Sequence, residues 1–62
     1  MQDFWFEIVD EYSDRCGEEF FVQEETEEDA WKVAKKTFPG EKLDCYGPVS
    51  EVEAEIMGLD TY

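Results

Sequence analysis

Hydrophobic and polar residues alternate in two short segments near the start of the chain, "DFWFEIVD" at 3–10 and "EEFFVQE" at 18–24. Alternation with a period of two is typical of β-strands whose two faces meet different surroundings. Both segments are rich in aromatic and β-branched residues, and the intervening "EYSDRCG" contains serine, aspartate and glycine, which suit a turn. The pattern predicts a β-hairpin with a loop of several residues.

A helical pattern follows at 26–38. Thr26 precedes Asp29 by three residues, which is a variant of the capping box that begins many helices. On a helical wheel, the apolar residues from Ala30 onward fall within an arc of about 160°, and three lysines lie opposite them. The helix is predicted to end at Pro39–Gly40, because proline cannot continue a helix and glycine suits its end. The acidic run "EETEEDAW" is therefore chiefly the start of a helix, and its acids can also extend a binding surface.

The remainder of the chain predicts one more strand and a short helix. "KLDCYG" at 42–47 alternates again, and the pair Gly47–Pro48 is predicted to break the strand. "SEVEAEIMG" at 50–58 begins with a serine that can cap a helix and ends with a glycine that can stop it. The tail at 59–62 is predicted either to pack against the fold or to fray.

The order of elements predicts an α+β fold of ββαβ type in a single domain that spans 1–62. It consists of a three-stranded antiparallel sheet, one covering helix and a short C-terminal helix. The most apolar strand, 3–10, is expected at the centre of the sheet. The helix is expected to cover the sheet face formed by Phe4, Phe6, Ile8, Phe20, Val22, Leu43 and Cys45.

One helix cannot cover both faces of this sheet. Alternation places Trp5, Val9, Phe21 and Tyr46 on the opposite face. Either the second helix folds over these residues or they form a contact surface for another molecule.

The chain carries 18 acidic and five basic side chains and no histidine, which gives a net charge of −13. Such a surface is a poor partner for nucleic acid and for anionic lipid, so the expected partner is a basic protein surface, without direct contact to nucleic acid or membrane. A net charge of about 2–8 in magnitude is enough to keep a small domain soluble, and this chain exceeds that range. Plain solubility is the alternative explanation for the acids.

No residue pattern indicates catalysis or metal binding. The chain has no histidine, no glycine-rich phosphate loop and no nucleophile motif, and so short a chain seldom encloses a pocket. Zinc lacks ligands, because only Cys16 and Cys45 accompany the acids, and Asp10 and Asp14 lack the spacing of an EF-hand loop. The sequence therefore predicts no enzyme activity, no metal and no cofactor.

The two cysteines are too few for the disulfide framework of a secreted domain, and no apolar signal segment follows Met1. Both thiols are expected to be reduced, in a cytoplasmic protein. A single disulfide between them is the alternative.

Small size, strong acidity, absence of histidine and the ββαβ order together resemble a group of small inhibitors encoded by phages and other mobile elements. The group includes DNA-mimicking inhibitors of uracil-DNA glycosylase and several anti-CRISPR and anti-restriction proteins. The resemblance implies a protein whose carboxylates imitate the phosphates of nucleic acid. The Glu-Ser-Ile stretch of one class of glycosylase inhibitor is absent here, so no functional residue is transferred.

The first functional hypothesis is an acidic nucleic-acid mimic that occupies the basic DNA- or RNA-binding groove of a host or defence enzyme. The second is a small interaction or adaptor module that dimerises, or binds a partner, through its aromatic sheet face. The protein would be a monomer in the first case and could be a homodimer in the second. The residues expected to contact the partner are Trp5, Glu7, Val9, Glu19, Phe21, Glu24, Glu25 and Glu28.

Overall fold

A computed structural model describes residues 1–62 of the protein. It confirms the predicted α+β fold and the central position of the first strand, since the three strands form an antiparallel sheet in the order β2-β1-β3. The first strand begins at Gln2 and ends at Ile8, so it stops two residues before the end of the predicted 3–10. The elements are β1 (Gln2–Ile8), β2 (Glu19–Glu24), α1 (Glu27–Thr37), β3 (Leu43–Val49) and α2 (Glu51–Met57).

Helix α1 covers one face of the sheet and completes the hydrophobic core. The Phe6 ring is fully buried; it stacks on Phe20 with ring centroids 5.5 Å apart and forms a T-shaped pair with Trp31 at 5.0 Å between centroids. Aromatic pairs in these arrangements stabilise a core beyond the area that they bury. The predicted core face is confirmed. The buried residues of this core are Phe4, Phe6, Ile8, Phe20, Val22, Ala30, Ala34 and Phe38, with Leu43 and Cys45 partly buried beside them.

The ends of α1 form where the sequence predicts them. The Thr26 hydroxyl oxygen accepts a hydrogen bond from the Asp29 N–H at 3.2 Å, so one of the unpaired amides of the first turn is satisfied. Acids occupy the first turn and Lys35 and Lys36 the last, the distribution that the helix dipole favours. The three lysines of α1 are exposed on the side away from the sheet.

The predicted break at Gly47–Pro48 is wrong, because β3 runs through this pair to Val49. Gly47 lies opposite Trp5, but the next pair joins Cys45 to Phe6, so Tyr46 is an extra residue in β3. Gly47 has a φ of 99°, a conformation that glycine adopts without strain and that suits a bulge. Proline fits here because β3 is an edge strand and does not need every N–H for pairing.

The tail at 59–62 packs against the fold and pairs with the free edge of β2. The Phe21 N–H donates to the Asp60 carbonyl at 2.8 Å, and the Tyr62 N–H donates to the Phe21 carbonyl at 2.8 Å. The Tyr62 ring packs edge-on against Phe20 and Phe38, with both centroid distances 5.6 Å. The tail thus blocks this edge of the sheet from pairing with another chain.

The side chain of Phe21 points to the sheet face opposite α1, yet it is only 1% exposed. It forms the floor of a groove whose walls include Ala54 of α2 and Leu59 of the tail. The second helix therefore folds over part of this face, which is one of the two alternatives that the sequence leaves open. Neither α1 nor α2 is long and apolar enough to cross a membrane.

Polar side chains fix the loop between β1 and β2. The Asp10 carboxylate accepts hydrogen bonds from the Tyr12 N–H at 3.0 Å and from the Lys42 N–H at 3.3 Å. The Ser13 hydroxyl donates to Glu41. The loop leaves Tyr12 91% exposed, so Tyr12→Ala is a suitable surface control for substitutions of covered residues.

Replacement of Phe21 by alanine is expected to lower the free energy of unfolding by about 3–5 kcal/mol, because it removes a buried aromatic ring and leaves a cavity. The loss is a large part of the stability of an ordinary small domain. Urea unfolding followed by circular dichroism measures the effect, with Tyr12→Ala as the matched exposed control. Equal stability of the two variants would show that α2 and the tail do not cover Phe21.

Candidate functional site

The sheet face opposite α1, here called the outer face, combines acids with aromatic rings. Residues on one face of a strand alternate with those on the other, so the positions between the core residues belong to this face. Neighbouring positions in the strand pairing place them side by side. The outer face consists of Asp3, Trp5 and Glu7 of β1, Glu19, Phe21 and Gln23 of β2, and Asp44 and Tyr46 of β3.

Three carboxylates form a row across the outer face. Glu7 of the central strand lies directly opposite Glu19 on one side and directly opposite Asp44 on the other. Because neighbouring strands are about 4.8 Å apart, the row spans roughly 10 Å. Like charges in directly opposite positions destabilise a sheet. We call Glu19, Glu7 and Asp44 the carboxylate row.

No salt bridge involves a residue of the carboxylate row. The ion pairs of the protein join Arg15 to Glu41 and Lys32 to Asp29, and neither involves a residue of the row. The lysines of α1 lie on the other side of the molecule, beyond the core. The row therefore has no ion-pair partner in the folded protein.

Each carboxylate of the row is nevertheless held by one neutral donor. The Trp5 indole N–H donates to Glu19 at 2.8 Å, the Tyr46 hydroxyl donates to Glu7, and the Cys45 N–H donates to Asp44 at 2.9 Å. These hydrogen bonds restrict the carboxylates without cancelling their charge. The row is thus a fixed array of negative charges.

Trp5 and Tyr46 form an aromatic pair beside the row. Their ring centroids are 4.6 Å apart at an interplanar angle of 44°. Tyr46 is half-exposed and Trp5 is partly buried. The hydrogen bond to Glu7, followed by desolvation and the surrounding negative charges, raises the pKa of Tyr46 to about 12. The hydroxyl therefore stays protonated and remains a donor throughout the physiological range.

The structure brings three of the predicted contact residues together, namely Trp5, Glu7 and Glu19. Phe21, which was also predicted to contact a partner, is only 1% exposed, because α2 and the tail cover it. Val9 lies just beyond the end of β1 and is 37% exposed, so it is at the margin of the outer face.

The other predicted contact residues lie elsewhere. Glu24 is paired with Gln2 at the opposite end of the sheet from Val9, and Glu25 precedes α1. Glu28 is an exposed residue in the first turn of α1. These three acids form a second group near the start of α1, which packs on the face opposite the carboxylate row.

Asp44 was not among the predicted contact residues, and Tyr46 appeared only as a residue of the opposite face. Alternation along 42–47 places both on one side, which is the signal that identifies them. Their proximity to Trp5 and Glu7 depends on the bulge in β3. The only local signal for this bulge in the sequence is Gly47.

Helix α2 extends the acidic surface of the outer face. A groove of about 430 Å³ lies between α2 and the sheet. Three of the residues that line it are acids, namely Asp3, Glu51 and Glu55. No group of three or more Asp, Glu, Cys or His side chains is arranged to hold a metal ion.

Comparison of the chain with protein-family models, with curated protein sequences and with solved structures finds no significant match.

The raised pKa of Tyr46 predicts a specific loss of stability in alkali. In the unfolded chain a tyrosine ionises near pH 10, whereas folded Tyr46 ionises at about 12. The folded state holds this proton more tightly, so the contribution to stability is complete below pH 10 and is lost as the pH rises to 12. In urea unfolding, the free energy of unfolding of the wild type should therefore fall more between pH 10 and 12 than that of Tyr46→Phe.

A ring-carbon NMR titration of Tyr46 provides the second measurement. Ionisation of folded Tyr46 near pH 10, or the same alkaline loss of stability in Tyr46→Phe, would contradict the hydrogen bond between Tyr46 and Glu7.

Proposed function

We propose that the protein is a stoichiometric inhibitor whose outer face occupies the basic nucleic-acid-binding groove of a host or defence enzyme. The observation that carries this proposal is the carboxylate row. Three like charges stand in directly opposite positions, each held by a neutral donor and none paired with a base. Such an arrangement weakens the folded state, and a bound cationic surface would offset that cost.

The spacing of the row supports an imitation of phosphate. Duplex DNA carries one negative charge per about 1.7 Å of its axis, counted over both strands, so a protein that reads its backbone presents several lysines or arginines over a short distance. Carboxylates at intervals of roughly 5 Å offer acceptors for several such side chains at once. Arginine in particular binds a carboxylate or a phosphate through the same pair of N–H donors.

The aromatic pair supplies an apolar centre for the same surface. Protein interfaces commonly place tryptophan or tyrosine at the centre and polar residues at the rim. Trp5 and Tyr46 stand beside Glu7 and Glu19, and their rings contact each other at 4.6 Å between centroids. In this proposal the carboxylates orient the partner, and the rings contribute most of the contact area that excludes water.

The alternative, an adaptor that dimerises through the same face, is disfavoured by charge. Two copies joined face to face would bring two carboxylate rows together without any base between them. Like charges across an interface oppose association. We therefore propose a monomer that binds a basic protein and has no catalytic role of its own. Two free cysteines accord with a cytoplasmic location.

A pair of matched charge variants tests the proposal. The outer-face variant combines Glu7→Gln, Glu19→Gln and Asp44→Asn. The control variant combines Glu24→Gln, Glu25→Gln and Glu28→Gln, and it raises the net charge from −13 by the same three units. Each tagged protein is used to recover proteins from a bacterial lysate at low salt, followed by elution with high salt and, separately, with DNA or RNA.

The wild type and the control variant are expected to retain a nucleic-acid enzyme that DNA or RNA displaces, and the outer-face variant is expected to lose it by at least about tenfold, since each lost charged contact contributes on the order of 1 kcal/mol or more. Equal loss in both variants would indicate that only total charge matters. Retention by the outer-face variant, or partners that nucleic acid does not displace, would contradict the proposal.

A further inference from the structure

Helix α2 turns its two β-branched side chains, Val52 and Ile56, toward solvent, whereas Met57 is partly buried. Val52 is 66% exposed and Ile56 is 79% exposed, whereas the smaller Ala54 is partly covered. Residues four apart lie on the same side of a helix, so the two side chains stand one above the other. We call Val52 and Ile56 the aliphatic ridge.

The ridge is held in a fixed position although α2 has only seven residues. A helix this short does not persist by itself in water. Here the Ser50 hydroxyl oxygen accepts a hydrogen bond from the Glu53 N–H at 3.2 Å, and Gly58 closes the other end with its N–H on the Ala54 carbonyl at 3.1 Å. Both ends are therefore capped, and the ridge is presented to a partner without further ordering of α2.

Acids flank the ridge on both sides. With about 100° of rotation per residue, Glu51 and Glu55 lie on one side of the ridge and Glu53 lies on the other. The helix contains no basic residue. This charge, with the net charge of −13, disfavours three possible occupants: a second copy of the chain, an anionic membrane and nucleic acid. The occupant that fits is an apolar protein surface bordered by lysine or arginine.

We propose that the aliphatic ridge docks a cationic amphipathic helix of a partner protein. Rows of side chains four apart on one helix fit between the side chains of another, which is the commonest way in which helices pack. Helix α2 is about 10 Å long, so it matches roughly two turns of the partner. The lysines or arginines beside the partner's apolar stripe would meet Glu51, Glu53 and Glu55. This site is separate from the carboxylate row and does not depend on the function proposed above.

The test uses a defined probe, a synthetic peptide of leucine and lysine of roughly 18 residues with leucines at helical spacing, which is long enough to form a helix on binding. Titration of the isotope-labelled full chain, followed by NMR, is expected to shift the methyl signals of Val52 and Ile56. The double variant Val52→Ala with Ile56→Ala should bind about tenfold more weakly, as expected for loss of one well-packed anchor. Alanine is the best helix former, so α2 should persist, and circular dichroism checks this.

Two controls separate the ridge from general acidity. Tyr12→Ala removes another exposed apolar side chain. This variant should bind within about twofold of the wild type, since surface residues outside a contact contribute little. A scrambled peptide of the same composition should bind at least about tenfold more weakly, because its leucines no longer form one stripe.

Several outcomes would overturn the proposal. The peptide could shift the Trp5 indole signal and leave the ridge methyls unchanged, or the scrambled peptide could bind equally well. Unchanged binding by the double variant would have the same meaning. Sedimentation of the protein alone is the last check, because a dimer that the double variant abolishes would show that a second copy covers the ridge.

Discussion

The fold depends on one constraint, namely that the central strand β1 needs cover on both of its faces. Helix α1 covers the face of Phe4, Phe6 and Ile8 with a complete hydrophobic layer. In a chain of 62 residues little remains for the second face, and only α2 and the tail reach it. They bury Phe21 and leave Trp5 partly buried and Tyr46 half-exposed. The partial cover creates the outer face.

The two sides of the sheet also differ in how their charges are paired. On the helix side, acids and lysines of α1 complement the helix dipole and form an ion pair between Lys32 and Asp29. On the outer face Glu7 stands between two other acids, and the donors that hold the row are neutral. A chain selected only for solubility would gain from a lysine at one of these positions. The row without an ion-pair partner is the observation that supports the proposed binding of a cationic surface, and acids also flank the ridge of α2.

The sequence predicts the elements well where local signals act alone. The period-two pattern identifies β1 and β2, Thr26 and Ser50 mark the helix starts, and Gly58 marks a helix end. The prediction of a break at Gly47–Pro48 is wrong, because proline within a strand is tolerated at a sheet edge and the sequence alone does not show that β3 is an edge strand. The burial of Phe21 has no local signal either, because it depends on hydrogen bonds between the tail and β2. Of the candidate site, alternation identifies the shared face of Trp5 and Glu7, while strand pairing is needed to align Glu7 with Glu19 and Asp44.

If the carboxylate row weakens the fold, the stability of Glu7→Gln measured over a range of salt concentrations should show it. Glutamine keeps an acceptor for the Tyr46 hydroxyl and removes the charge between Glu19 and Asp44. At low salt the variant is predicted to be more stable than the wild type by about 1 kcal/mol, from two relieved like-charge pairs. The difference should shrink as salt screens the charges. A variant that is less stable than the wild type at low salt, or a difference in stability that salt does not change, would show that repulsion within the carboxylate row does not weaken the fold.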